Sequence, residues 1–146
     1  MHRITPFQDN AHRQQVIDLW AVAFGRGTGH NEPALSIDKK LAVADGLFFV
    51  AVADDRVIGT TLAGYDGHRG WLYSVAVDPS CRASGVGTDL VRHAERALAA
   101  LGCTKINLQV LGTNSAVVDF YRSIGYAVED RISMGRRVEE NIPRQP

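Results

Sequence analysis

Cysteine is scarce in this chain: Cys81 and Cys103 are the two present, and they stand at no metal-ligand spacing. A zinc module or disulfide framework is therefore not the source of stability, and isolated thiols suit a reducing cytoplasm. Neither sign of charge dominates, since 16 Lys and Arg offset 16 Asp and Glu. A general nucleic-acid or membrane-surface binder is not expected from such a balance. No apolar run approaches the roughly 20 residues needed to span a bilayer. The opening Met1-His2-Arg3-Ile4-Thr5-Pro6 also lacks the apolar stretch of a signal peptide. These absences lead us to expect a soluble cytoplasmic protein, with a homodimer left open.

What is present is ordinary globular composition, 45% apolar and 22% charged over 146 residues. That length suits one domain with its own core, so we expect a single domain over 1–146 with a polar tail at 139–146. Arg3 to Phe7 reads as a short strand. From Asp9 to Phe24, Val16, Leu19, Trp20, Ala23 and Phe24 recur on one helical face. The stretch from Gly25 to Pro33 has glycines at alternate positions, which suit neither helix nor strand. A shorter helix is expected over Leu35 to Val43, with Ser36 or Asp38 near its start.

The period then changes. Leu47 to Ala53, Arg56 to Tyr65 and Trp71 to Val77 read as strands, joined by turns at Asp54-Asp55 and Asp66-Gly67. The turns imply an antiparallel meander. Gly85 to Leu101 is strongly amphipathic and closed by Gly102, Lys105 to Val110 alternates as a strand, and Ser115 to Ile124 is helical again. Tyr126 to Val138 is expected to add one or two strands. The composite is α+β: a mixed, mostly antiparallel sheet of six to seven strands with about four helices.

The glycines at one junction carry chemistry. Pro79 stops the strand ending at Val77, and Arg82-Ala83-Ser84-Gly85-Val86-Gly87-Thr88 then leads into the long amphipathic helix. The first turn of a helix leaves N–H groups without internal partners, and glycine lets an anion come close to them. Arg82 adds a fixed positive charge with several donors. A Walker loop would need Gly-Lys-Ser/Thr, and no such tripeptide occurs; a dinucleotide fingerprint would need glycine where Leu90 stands.

The run Val75-Ala76-Val77-Asp78-Pro79-Ser80-Cys81-Arg82-Ala83-Ser84-Gly85-Val86-Gly87-Thr88-Asp89-Leu90-Val91 resembles the coenzyme A motif of the GNAT superfamily of N-acetyltransferases. Asn114-Ser115-Ala116-Val117-Val118-Asp119-Phe120-Tyr121-Arg122-Ser123-Ile124-Gly125-Tyr126 resembles that superfamily's downstream motif, in the right order and with one strand between. Tyr65 to Gly70 and Ser133 to Arg137 further resemble the small bacterial YpeA-like subgroup.

The resemblance implies a sheet splayed between 71–77 and 105–110, with acetyl-CoA as cosubstrate and no metal. The pantetheine arm would pair with the backbone of Val75, Ala76 and Val77, and the diphosphate would rest on the amides from Arg82 to Thr88. A primary amine would attack the thioester directly, so neither cysteine is needed as nucleophile. Tyr121 matches the family's tyrosine that faces the departing thiol, and it lies at the edge of an apolar arc of Ala116, Val117, Phe120 and Ile124. Asn114 would fix the pantetheine amide, cap its helix, or do both. Many family members place a carboxylate on the strand equivalent to 71–77, where this chain has Ser74. Glu32, Asp66, His68 or a chain of waters are the remaining candidates for the general base. The acceptor would be a small amine metabolite, an antibiotic-like amine or a peptide N-terminus. The alternative is a non-catalytic acyl-CoA sensor or interaction domain.

Overall fold

The structure is a computed structural model and describes residues 1–25 and 27–138. It contains two compact units, Met1–Leu111 and Gly112–Pro146. The expected polar tail at 139–146 lies outside the described residues.

The first unit runs β1 (Arg3–Pro6), α1 (Asp9–Phe24), α2 (Pro33–Val43), β2 (Phe48–Ala53), β3 (Arg56–Tyr65), β4 (Gly70–Val77), α3 (Val86–Ala100) and β5 (Ile106–Leu108). The strands form one sheet in the order β1-β2-β3-β4-β5. The first four pair antiparallel, and β5 joins parallel to β4 after the crossover through α3. Asp54 and Asp55 make the two-residue β2–β3 turn with φ of 51° and 59°, both left-handed as a type I′ turn demands.

Both faces of the sheet are covered, which is why β2 (Phe-Phe-Val-Ala-Val-Ala) is apolar almost throughout. On one face Val16, Leu19 and Trp20 of α1 and Ile37 of α2 pack with Phe48, Val50, Val52, Val57 and Leu62. On the other, Val86 and Leu90 of α3 meet Ala51 and Ile58. Alternate residues of β2 thus serve opposite cores, as the pleat requires. Gly59 permits the close approach of α3: a Cβ there would lie 2.8 Å from Leu90 Cδ1 and 3.0 Å from the Ala76 carbonyl oxygen.

Three expectations need correction. The α2 helix starts at Pro33, earlier than Leu35, so Ser36 and Asp38 lie inside it, and its N-cap is Glu32. Glu32 accepts from the amides of Ala34 (3.1 Å) and Leu35 (2.8 Å), and proline fits the first helical position because its missing N–H would be unpaired there anyway. Phe24, assigned to the buried face of α1, is exposed at the helix end. Among the described residues the sheet has five strands, not six to seven.

The missing strands belong to the second unit, whose helix is α4 (Ser115–Ser123). Among the described residues none from 126 to 138 is in a strand. Val128, Ile132, Met134 and Val138 repeat at even positions as strand residues would, but all are exposed. Alternation records a propensity, which tertiary context can override.

Candidate functional site

β4 ends at Val77, and Pro79 opens a 3-10 turn over Pro79–Cys81. Asp78 closes that turn by accepting from the Ser80 amide (2.9 Å) and hydroxyl (2.8 Å). Those bonds hold its carboxyl below the usual range, so it is ionised at neutral pH. The Ser84 hydroxyl donates to the Cys81 carbonyl. The chain then enters left-handed backbone at Ala83 (φ 63°) and Gly85 (φ 85°) before α3 begins. A Cβ at Gly85 would meet nothing within 4 Å, so the loop is open to a ligand there.

Where Glu32 and Asn114 cap α2 and α4 with side-chain oxygens, Gly85 gives α3 no side-chain cap. Among the described residues, none of the N–H groups from Arg82 to Thr88 has a hydrogen-bond partner; the first intrahelical bond is Asp89 N–H to the Gly85 carbonyl at 3.0 Å. Arg82 to Gly85 are exposed, Gly87 and Thr88 half-buried, and Val86 is buried as the anchor of the helix. Unpaired amides at the positive end of a helix, flanked by an arginine, are the donor set that a phosphate requires. The residues present therefore fit the diphosphate of coenzyme A.

The strand entering this loop is irregular. Thr60 pairs with Ala76 but Leu62 with Tyr73, so Ser74 and Val75 together oppose Thr61. This is a β-bulge, and Ser74 within it is left-handed at φ 49°. Parallel pairing of β4 with β5 covers only Gly70–Ile106, Trp71–Asn107 and Leu72–Leu108. Past Leu72, β4 runs on through the bulge and Val75, Ala76 and Val77, with no strand partner on the β5 side among the described residues. β5 is shorter than the 105–110 expected, and its pairing with β4 stops at Leu72–Leu108. Ala76 is buried, and Val75 and Val77 are half-buried.

Two residues that sequence reasoning passed over act on this bulge. The Trp20 indole N–H donates to Thr60 Oγ1 (2.9 Å), and the Thr60 hydroxyl donates to the Ser74 carbonyl (2.8 Å). The available signal was Thr60-Thr61, a pair of hydroxyls inside an otherwise apolar, fully buried strand run.

In the second unit, Asn114 accepts from the Val117 amide (3.2 Å) and so caps α4. Tyr121 is the buried residue of that helix, not an edge residue, and Ala116 is exposed. Its ring meets Phe120 (5.0 Å, 66°) and Tyr126 (5.6 Å, 71°) edge-to-face. Burial pushes its phenol up to about 12.

The candidate bases are already occupied as structural groups or lie at the surface. Glu32 caps α2. Asp66 Oδ1 accepts from the amides of His68 and Arg69, each at 2.7 Å, and Oδ2 takes the Trp71 indole N–H at 3.4 Å. The Arg69 and then the His68 amide hold Asp66 below the usual carboxylate range. His68 is exposed in the same turn. Among the described residues no group of three or more His, Cys, Asp or Glu is placed to hold a metal ion, and no helix is long and apolar enough to cross a membrane.

A mixed sheet whose β4–β5 pairing stops at Leu72, followed by a glycine loop and a helix start without a side-chain cap, places this chain among α+β proteins with a β-α-β crossover. Comparison with known proteins narrows the class. The acetyltransferase (GNAT) family matches residues 13–126. An acetyltransferase of Sodalis glossinidius (strain morsitans) is 39% identical over 112 residues, covering 76% of this chain and 79% of that protein. Among solved structures, AAC(6')-Iy in complex with a coenzyme A bisubstrate analogue superposes with a TM-score of 0.74 at 20% identity, over 94% of this chain and 98% of that one. Ard1 from Thermoplasma volcanium gives 0.77 at 19% identity, over 88% and 84%. The chain belongs to the acetyltransferase (GNAT) family. It is an acetyl-CoA-dependent N-acetyltransferase, and the relatives' names favour that enzyme over a non-catalytic sensor.

Proposed function

We propose that this protein, acting as one domain over 1–146 in the cytoplasm, transfers an acetyl group to a primary amine that attacks the thioester directly. Acetyl-CoA supplies the activated acyl group. The acceptor is a small amine metabolite, an antibiotic-like amine or a peptide N-terminus. The two YpeA-like segments at 65–70 and 133–137 suggest the subgroup.

The observation that supports this reading is the row of amides from Arg82 to Thr88 that have no hydrogen-bond partner among the described residues, at the start of α3, which like α1 has no side-chain cap. In our reading these amides and the Arg82 guanidinium hold the diphosphate. The backbone of Val75, Ala76 and Val77 takes the pantetheine arm as an added strand, since that part of β4 has no strand partner on the β5 side among the described residues. Asn114 retains its capping bond and offers its remaining amide hydrogens to the arm. The Tyr121 hydroxyl, held protonated by burial, donates to the sulfur as charge develops on it.

Gly87→Glu tests the anion site by placing bulk and negative charge at the first turn of α3. Calorimetry should show acetyl-CoA binding to the parent protein and none to the variant. Undiminished affinity in a folded Gly87→Glu protein would remove the phosphate assignment.

A further inference from the structure

We propose that Trp20 and Thr60 are positioning residues: a buried hydrogen-bond relay from helix α1 sets the peptide plane of the β4 bulge, and through it the affinity for the acyl-pantetheine arm. The inference rests on the reading above, in which the backbone from Val75 to Val77 receives that arm.

The polarity of the relay follows from donor chemistry. An indole nitrogen only donates, whereas a hydroxyl carries one hydrogen and can accept as well. Thr60 Oγ1 must accept from Trp20 (2.9 Å), so its own hydrogen is directed onto the Ser74 carbonyl (2.8 Å). Thr60 is completely buried and Trp20 is 5% exposed, so water cannot replace either bond cheaply. The Trp20 ring lies parallel to Phe48 (6.1 Å between centroids, 9° between planes), which fixes where the N–H points. α1 is tied to β3 a second time, where Gln15 Oε1 accepts the Val57 amide at 2.9 Å.

The receiving end needs such support. A serine at φ 49° occupies a region that residues with a Cβ enter reluctantly, and they stay there where surrounding contacts over-determine them. Because the peptide is planar and trans, holding the Ser74 carbonyl toward Thr60 also holds the Val75 N–H in the opposite direction. The relay thus governs the orientation of the Ser74–Val75 peptide, past the last β4–β5 pair at Leu72. Thr61, next along β3, is equally buried, yet its hydroxyl has no hydrogen-bond partner among the described residues. It supplies an internal control.

The test compares Thr60→Val, Thr60→Ser, Trp20→Phe and Thr61→Val by calorimetry against two probes, acetyl-CoA and adenosine 3′-phosphate 5′-diphosphate, which lacks the arm. Thr60→Val should weaken acetyl-CoA about tenfold or more, and Trp20→Phe several-fold, with the nucleotide fragment bound as in the parent. Thr60→Ser should restore affinity to within about threefold, and Thr61→Val should leave it unchanged. Two results would overturn the relay: acetyl-CoA affinity unmoved in both Thr60→Val and Trp20→Phe, or parallel losses for both probes or in Thr61→Val, which would mark general loosening. If Thr60→Val does not fold, Trp20→Phe with Thr60→Ser decides on the same readout. A parent protein that binds neither probe would instead refute the phosphate site, and the relay's role with it.

Discussion

Tyr121→Phe isolates the proposed donor to the departing sulfur. Phenylalanine keeps the ring and its edge-to-face contacts with Phe120 and Tyr126, so the fold should survive. Burial raises the hydroxyl's pKa to about 12. Below pH 10 the group is protonated in the folded and unfolded states alike, so it adds no pH-dependent stability at assay pH; the fold loses stability only as pH rises above about 10. Against a thiol near ~8.5, complete proton transfer would be uphill by roughly 5 kcal/mol, so the hydroxyl serves as a hydrogen-bond donor, not a proton source. A hydrogen bond to a charged group contributes about 1.5–3 kcal/mol. Removing one made only as charge develops should lower kcat by about 10- to 150-fold. The assay is thiol release across a panel of amines, with acetyl-CoA affinity measured separately by calorimetry. Affinity should stay within about threefold. An unchanged kcat, or a loss confined to acetyl-CoA affinity, would refute the assignment.

Two further outcomes concern stability. Gly59→Ala forces a Cβ against the Leu90 side chain and the fixed Ala76 carbonyl, so we expect a loss of about 1–3 kcal/mol and a fall in Tm of roughly 3 to 10 °C; an unchanged Tm would mean that α3 can move away without cost. His12 and His93 are both held below the ordinary imidazole value, first by burial and then by Arg3 and Arg96 respectively. Their neutral forms suit the fold, so the stability they contribute is complete above about pH 6.5 and is lost as pH falls through that value toward the lowered one. Tm should drop between pH 7.5 and 5.5, less so in His93→Gln, and a flat profile would contradict the sign.

Elements set by local chemistry are legible without the structure. Helix Asp9–Phe24 and strand Arg56–Tyr65 have the bounds that their periodicity and turn residues predict, and Asp54-Asp55 is the turn that two short polar residues favour. The glycine loop is legible for the same reason, since the need for bare amides is written in residue type. Features that depend on distant partners are not. Nothing about serine predicts left-handed backbone at Ser74, whose carbonyl is met in the folded chain by Thr60 and, through it, by Trp20, 40 residues from Thr60 in sequence. The segment from Tyr126 to Val138 shows the converse error, an alternating pattern read as strand where none forms among the described residues. The start of α2 misleads similarly: Pro33, just after the glycine-rich stretch, opens the helix two residues before Leu35, and Glu32 reaches its first amides.

The missing base and the acceptor are set by one equilibrium. Glu32 has both oxygens on helix amides, and Asp66 accepts two turn amides that favour its charged form, so neither is poised to take a proton from an amine. If no side chain removes that proton, the neutral amine must come from solution. At pH 7 an α-amino group near ~8 is roughly one-tenth neutral, whereas a lysine amine near ~10.4 is neutral about once in 2,500 molecules. A site of this kind therefore favours the weaker base by about 200-fold before any contact with the acceptor is counted. The rate with an α-amine should rise nearly tenfold per pH unit below about 8 and then level. A pH-independent rate with a lysine-like amine would require a group that lowers its pKa inside the site, and would restore the need for a dedicated base.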